Sequence, residues 1–228
     1  MPTPALQHPE FTGVKFILMD IEGTTTDIQF VKNVLFPYSA KELRNFISTH
    51  KNNPTVRECL TQADPQQDEN AILQLLKWIA EDVKHPALKT LQGMIWKNGY
   101  ESKAYQSPLY PDVLPAWQKW QTAGLRLGIY SSGSVPAQKL LFGFTEQGDV
   151  TKYLSAYFDL DVGSKRETAS YQKIATQLEL SPPEILFLSD IEAELSAAQS
   201  AGFQVAHVVR PGTTPSEKFQ TVANFLEI

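Results

Sequence analysis

Short apolar runs alternate with helical patterns along most of this chain, and this alternation restricts the fold more than any other feature of the sequence. Each run is short enough for one buried strand, and the runs cover residues 14–19, 125–130, 185–189 and 204–209, with a shorter one at 158–160. Helical patterns lie between them, in residues 115–123, 135–144, 167–180 and 192–201. This arrangement predicts an α/β fold built on a parallel sheet with right-handed crossovers.

One long segment, residues 27–108, interrupts the alternation. It contains helical patterns and no convincing strand. In residues 70–84, for example, the apolar positions at helical spacing are Ile72, Leu75, Leu76, Ile79 and Val83. We therefore predict a helical insertion after the first strand. The predicted core domain consists of residues 1–26 and 109–228, and the inserted domain of residues 27–108.

Composition and charge argue against several classes of protein. The 228 residues carry a net charge of −5, which gives no sign of a nucleic-acid partner. Residues 1–10 lack the pattern of a signal peptide, and no apolar run approaches the roughly 20 residues that span a bilayer. The single cysteine, Cys59, cannot form an internal disulfide, which fits a reducing compartment. We expect a cytoplasmic monomer with no nucleic acid and no membrane as partner.

Polar residues suited to catalysis follow four of the predicted strands. In chain order they are Asp20 with Glu22, Ser131 with Ser132, Lys165, and Asp190. Open α/β sheets bind ligands at the carboxyl ends of their strands, so we expect these side chains to meet there. Taken singly, each has a plainer interpretation, because aspartate and serine are typical helix caps or turn residues and a lone lysine is usually solvated. Their occurrence in order, each beyond a separate strand, favours a common site.

These residue types fit phosphoryl transfer to a carboxylate. An aspartate can attack phosphorus and hold the phosphoryl group as an acyl phosphate. Hydroxyl groups, together with the backbone N–H groups of a glycine-containing turn that opens a helix, can bind phosphate oxygens. A lysine neutralises charge on nucleophile and phosphate, and a further carboxylate completes an oxygen site for Mg²⁺. Because the transition state spreads charge over the equatorial oxygens, positioning and cations would supply most of the catalysis.

The chain also resembles the haloacid dehalogenase superfamily, and within it the enolase-phosphatases of methionine salvage. The superfamily begins its first motif with Asp-x-Asp, whereas Glu22 occupies the third position here, as in the enolase-phosphatases. Longer matching runs are residues 20–26, 30–38, 96–100, 110–113, 130–134, 138–142, 163–165, 170–171 and 187–190, followed by 194. The resemblance extends over roughly residues 14–212. Residues 101–105 (ESKAY) depart from the family, which has a glycine-containing turn and then Glu-Leu.

The resemblance implies a haloacid dehalogenase-like fold, in which a Rossmann-like parallel sheet forms the core and residues 27–108 form a helical cap. It also implies two reactions on one small phosphorylated diketone. The substrate 2,3-diketo-5-methylthiopentyl 1-phosphate would first be enolised. It would then be dephosphorylated to the acireductone 1,2-dihydroxy-3-keto-5-methylthiopentene and phosphate, in salvage of L-methionine from methylthioadenosine.

By the same resemblance, Asp20, Glu22 and Lys165 are the expected catalytic residues. Asp20 would be the nucleophile, would carry the aspartyl phosphate, and would bind one Mg²⁺ per subunit. Glu22 would transfer protons, and its side chain or its backbone carbonyl would also contact the metal. Lys165 would pair with both Asp20 and the phosphate.

The remaining residues would bind phosphate and metal. Ser131 and Ser132 would hold the phosphate through hydroxyl and backbone donors, and Asp190 would anchor the Mg²⁺ directly or through water. Glu194, one helical turn later, would either orient the metal site or belong to a solvated helix face.

Other functions fit parts of the sequence. A different Mg²⁺-dependent phosphatase or phosphomutase of the same superfamily would share the fold and the nucleophile but would not enolise its substrate. A non-catalytic relative would have lost Asp20, Lys165 or Asp190, and all three are present. A dinucleotide-dependent dehydrogenase would also alternate strands and helices, but no G-x-G-x-x-G sequence follows the first strand.

Overall fold

The computed structural model describes residues 11–66 and 69–228. The segment 1–10, which we predict not to be a signal peptide, lies outside the described residues. The chain divides into two compact units: one contains Ser107–Ile228 together with the described residues up to Ile28, and the other is Gln29–Gln106. None of the described helices is both long enough and apolar enough to cross a membrane.

The first unit is built on a six-stranded parallel sheet. The strands are β1 (Phe16–Met19), β2 (Arg126–Tyr130), β3 (Ala156–Phe158), β4 (Ile185–Ser189), β5 (Gln204–Val208) and β6 (Thr221–Val222). They lie in the order β3-β2-β1-β4-β5-β6, and every neighbouring pair is parallel. The chain changes direction across the sheet between β1 and β4, which is where open α/β sheets place their ligands.

All the regular secondary structure described in the second unit is helical. Its elements are α1 (Ile28–Phe30), a π-helical turn (Val31–Leu35), α2 (Phe36–Thr49), α3 (Pro54–Ala63), α4 (Glu69–Ala80) and α5 (Pro86–Glu101). The first residue of α1, Ile28, belongs to the first unit. The core of the second unit is formed by apolar side chains from α2 to α5, such as Leu43, Val56, Leu75 and Leu91. That this unit acts as a cap over a catalytic site stays a prediction.

Helices on the two faces of the sheet complete the first unit. They are α6 (Val113–Thr122), α7 (Val135–Gly143), α8 (Thr168–Leu178) and α9 (Glu192–Ser200). In β1, Ile17 and Met19 pack in the same cluster as side chains of α6 and α7, whereas Phe16 and Leu18 pack with side chains of α8 and α9. Because both faces of β1 are buried, its sequence is a continuous apolar run rather than an alternating one.

The predicted α/β fold is confirmed, with local differences in the elements. The apolar run at 158–160 belongs to a strand that ends at Phe158, because Asp159 turns the chain by accepting hydrogen bonds from the backbone N–H groups of Val135 and Asp161. The helix predicted for residues 70–84 ends at Ala80. Two residues later, Asp82 has a positive φ of 52°, a left-handed conformation that commonly follows the end of a helix. The two-residue strand β6 was not predicted, because its apolar run is too short to recognise.

Candidate active site

Asp20 lies directly beyond β1 and is held there by the sheet. Its backbone N–H donates to the carbonyl of Leu188 in β4, so the sheet pattern continues into this residue. The side chain is only 4% exposed. Its Oδ1 accepts from the Ile21 N–H at 2.7 Å and from Lys165 Nζ at 2.5 Å, and its Oδ2 lies 3.5 Å from the Ser189 hydroxyl oxygen. A carboxylate fixed in this way at a strand end is suited to nucleophilic attack.

Lys165 brings the positive charge of the site to Asp20 from the loop between β3 and α8. The side chain is 8% exposed, and Nζ also lies 2.7 Å from Glu194 Oε2, which in turn accepts a hydrogen bond from the Ser189 hydroxyl at 3.0 Å. Burial alone lowers the pKa of Lys165, but the negative charges of Asp20 and Glu194 outweigh it and raise the pKa above its ordinary value. Lys165 therefore stays protonated at neutral pH.

Glu22 and Ser131 meet across the neighbouring ends of β1 and β2. The Ser131 hydroxyl donates to Glu22 Oε2 at 3.4 Å and accepts from the Gly133 N–H at 3.1 Å. Burial and then the negative charge of Asp20 raise the pKa of Glu22, which favours a carboxyl that carries a proton. Ser131 is fully buried, whereas Ser132 is exposed on the same turn.

Asp190 follows β4, next to β1 in the sheet, and reaches the Asp20 loop at Gly23. A Cβ on Gly23 would overlap Asp190 Oδ2, and Gly23 has a positive φ of 75°, so only glycine suits this approach. Burial and the charge of Asp20 raise the pKa of Asp190 to about 6. Its Oδ1 is buried without a hydrogen-bond partner among the described residues. A buried, unpaired carboxylate oxygen next to a second carboxylate fits a cation as the missing partner.

The donors at this position are those that Mg²⁺ prefers. Among the described residues no group of three His, Cys, Asp or Glu side chains has an arrangement that could hold a metal ion. Mg²⁺ does not require such a group, because it is commonly held by one or two carboxylates while keeping several waters. Oε2 of Glu22 accepts a hydrogen bond from Ser131, whereas Oδ1 of Asp190 has no partner among the described residues, so Asp190 and the neighbouring Asp20 are the carboxylates that fit the ion best.

Some residues that build the site were not singled out from the sequence. Ser189 contacts both Asp20 and Glu194. Its polar side chain at the end of the apolar run 185–189 is the sequence feature that could have identified it as a site residue. Arg210 donates from Nε to the Thr24 carbonyl at 3.0 Å and forms two hydrogen bonds to Asp112, at 2.8 and 3.0 Å. No local pattern predicted that pair, because the two residues are 98 positions apart.

Comparison with known proteins gives a consistent result over most of the chain. A family model described as haloacid dehalogenase-like hydrolase matches residues 14–202. The Enolase-phosphatase E1 of Picosynechococcus sp. is 47% identical over 221 residues, covering 93% of this chain and 96% of that protein. The Enolase-phosphatase E1 of Hahella chejuensis is 46% identical over 226 residues, covering 96% of this chain and 97% of that protein.

Solved structures agree with the fold. The UTR4 protein of Saccharomyces cerevisiae superimposes with a TM-score of 0.82 at 37% identity, covering 94% of this chain and 100% of that one. The L-2-haloacid dehalogenase of Xanthobacter autotrophicus, with chloropropionic acid covalently bound, gives a TM-score of 0.55 at 18% identity, with coverage of 93% and 95%. At that identity the second similarity concerns the fold alone.

Proposed function

Because the chain belongs to the haloacid dehalogenase-like hydrolases and, within them, to the enolase-phosphatases E1, we propose that it enolises and then dephosphorylates 2,3-diketo-5-methylthiopentyl 1-phosphate. The products are the acireductone 1,2-dihydroxy-3-keto-5-methylthiopentene and phosphate, a step in methionine salvage. The observation that carries the proposal is the buried contact between Asp20 and Lys165 at the carboxyl end of β1. It supplies a nucleophile and a cation at the position where this fold binds ligands.

Phosphoryl transfer proceeds through Asp20. One of its carboxylate oxygens attacks phosphorus, the bond from phosphorus to the substrate oxygen breaks, and Glu22 gives its proton to the leaving oxygen. Water then attacks the phosphorus of the aspartyl phosphate and returns a proton to Glu22, which releases phosphate and frees Asp20. The raised pKa of Glu22 supports its part as proton donor. Lys165, held beside Asp20, offsets charge on the transferring group.

Enolisation requires removal of a proton from a carbon next to a carbonyl group. Glu22, in its unprotonated form, is our choice for this base, because its side chain is longer than that of Asp20 on the same loop and lies beside the Ser131 turn, where we place the phosphate. The proton that it removes from carbon passes to the carbonyl oxygen and gives the enol, and Glu22 takes up a proton from solvent before phosphoryl transfer. Backbone N–H groups of residues 131–134, together with the Ser131 and Ser132 hydroxyls, would bind the phosphate oxygens.

One Mg²⁺ per subunit is part of the proposal. Asp20 and Asp190 would bind it through their carboxylates, and Glu22 through its backbone carbonyl. The bound ion would withdraw negative charge from the phosphate and the enolate oxygen. The unpaired Oδ1 of Asp190 supports this assignment.

We also propose that the enzyme acts as a cytoplasmic monomer. Every residue to which we give a catalytic part comes from one unit of one chain. The single cysteine, Cys59, is buried and free, which fits a reducing compartment.

Turnover of the diketone phosphate tests the proposed function. Ultraviolet absorbance of the enol and release of phosphate are followed together, with Mg²⁺ and with EDTA. We expect the enol to rise before phosphate and both signals to need the metal. If this substrate is inert while simple phosphate esters are hydrolysed, the chain is another phosphatase of the superfamily and the proposed substrate is wrong.

A further inference from the structure

Two buried tyrosines hold the loop that carries Lys165. Tyr130, the last residue of β2, donates from its hydroxyl to the Gly163 carbonyl at 3.0 Å. Tyr171, in the first turn of α8, donates to the carbonyl of Lys165 itself at 2.7 Å. Both side chains are fully buried. Hydroxyl groups from two different elements of the first unit, β2 and α8, therefore fix the backbone at both ends of the segment Gly163–Lys165.

The aromatic rings of these tyrosines are arranged around the same loop. They form an edge-to-face pair with centroids 5.5 Å apart, and Lys165 Nζ lies 5.8 Å from the centre of the Tyr130 ring. Tyr171 also packs edge-to-face against Phe187 and Phe203. Ring packing explains why aromatic residues are present here. It does not explain the hydroxyl groups, since phenylalanine would fill the same core.

The loop itself depends on close packing at its start. Gly163 has a φ of 129°, and a Cβ at this position would overlap Ser170 Oγ. The pair Ser170-Tyr171 that follows belongs to the matching runs of the sequence, but neither residue takes part in the chemistry proposed above. The loop is therefore packed against the start of α8 as well as hydrogen-bonded to it.

We propose that Tyr130 and Tyr171 are positioning residues, whose hydroxyl groups hold the Gly163–Lys165 backbone so that the Lys165 ammonium group lies between Asp20 and Glu194. The inference rests on the proposed part of Lys165 in phosphate chemistry. Lys165 Nζ contacts both carboxylates. Because the lysine side chain is long and flexible, the position of Nζ depends on the position of the Lys165 backbone. Loss of either hydroxyl leaves a buried carbonyl without its donor and allows the loop to move.

Tyr130→Phe, Tyr171→Phe and the double variant test this inference, with Tyr157→Phe as the matched control. Tyr157 lies in β3 of the same unit, and its buried hydroxyl has no hydrogen-bond partner among the described residues. All four variants keep their rings. The first readout is the rate of reductive methylation of Lys165, measured by peptide mass spectrometry relative to the exposed Lys173. The second is the affinity for inorganic phosphate in the presence of Mg²⁺, measured by calorimetry.

We expect Lys165 to be methylated roughly three to ten times faster in Tyr171→Phe, and phosphate to bind more weakly by a similar factor, as the loss of one buried hydrogen bond implies. The double variant should show a larger effect, and Tyr157→Phe should match the wild type. Equal methylation ratios in the double variant and in Tyr157→Phe would overturn the proposal. Methylation needs no substrate, so it tests the positioning role independently of the proposed function. If the Lys165 methylation ratio changes in the variants but the protein does not turn over the diketone phosphate, the positioning role is supported and the proposed substrate is wrong.

Discussion

Lys165 Nζ lies 2.5 Å from Asp20 Oδ1, although the two residues are 145 positions apart in the chain. The same ammonium group also pairs with Glu194, while Glu22 and Asp190 lie on either side of Asp20 without a lysine or arginine of their own among the described residues. Without a metal, one cation thus faces four carboxyl groups. Burial is the main cause of the raised pKa of Glu22, Asp190 and Glu194, and the negative charge of Asp20 adds to it in each case.

Replacement of Lys165 should remove most of the activity. We expect Lys165→Met to lower the rate of phosphate release by about 10²–10³-fold, because a preorganised charge next to the transferring group is lost. The exposed Lys173 of α8 provides the control, and Lys173→Met should keep wild-type turnover. Steady-state kinetics with the diketone phosphate measure both, after circular dichroism has verified folding. Activity of Lys165→Met within threefold of the control would contradict the assigned role.

Asp190 should make the stability of the metal-free protein depend on pH. Burial and then the charge of Asp20 raise its pKa from 3.8 to about 6. Between these values the folded protein binds more protons than the unfolded one, so the contribution of Asp190 to the free energy of unfolding is complete below pH 3.8 and is lost as pH rises through about 6. Reduced for solvent screening, the loss is about 1 kcal/mol.

Urea unfolding in EDTA tests this expectation in wild type and in Asp190→Asn. The wild type should lose about 1 kcal/mol more than the variant between pH 4.5 and pH 7. Addition of Mg²⁺ at pH 7 should stabilise the wild type and have little effect on the variant. Parallel pH curves for the two proteins would show that Asp190 does not titrate in this range.

Gly23 should be required for metal binding. In Gly23→Ala the new methyl group would collide with Asp190, so we expect the affinity for Mg²⁺ to fall roughly 10–100-fold. Gly13→Ala is a matched control, because Gly13 has a similar φ of 71° but no described atom within 4 Å of the position that a Cβ would take. Both variants should lose about 1–2 kcal/mol of stability through backbone strain. Calorimetric titration with Mg²⁺ separates them, and equal affinities would contradict the proposed contact between Gly23 and the metal site.

The buried pair of Arg210 and Asp112 should be a major source of stability. Asp112 Oδ2 accepts hydrogen bonds both from Arg210 and from the backbone N–H of Phe225, so it ties the C-terminal segment to the start of α6. We expect Asp112→Asn to lower the free energy of unfolding by about 3–5 kcal/mol, because it leaves the arginine charge buried and unpaired.

A surface pair supplies the comparison for that experiment. Arg44 and Glu69 are also in contact, but both side chains are at least half exposed, so Arg44→Met should leave stability nearly unchanged. Equal effects of Asp112→Asn and Arg44→Met on urea unfolding would show that burial does not set the strength of the Arg210 pair.

The sequence predicts the parts of this fold that depend on local patterns. The run at 185–189 coincides with β4, and Asp20 and Asp190 follow their strands as expected, because a strand buried on both faces needs uninterrupted apolar residues. Contacts between distant segments were beyond such reasoning. The pairing of Glu194 with Lys165 required the positions of α9 and of the loop before α8, and Glu194 could equally have faced solvent.

Local irregularities were equally unpredictable. The π-helical turn at Val31–Leu35 contains ordinary helix-forming and β-branched residues, and no capping pattern distinguishes it from an α-helix. Ser189 has a site contact because the end of β4 lies beside that of β1, which is a property of the strand order.

The most direct test of the central claim is chemical trapping of the phosphorylated enzyme. The protein is mixed with the diketone phosphate and Mg²⁺, quenched in acid within the first turnover, and reduced with borohydride, which converts an aspartyl phosphate to homoserine. Peptide mass spectrometry should find homoserine at position 20, and an Asp20→Asn variant should give none. Full turnover by the wild type with unmodified Asp20 at every quench time would contradict the account.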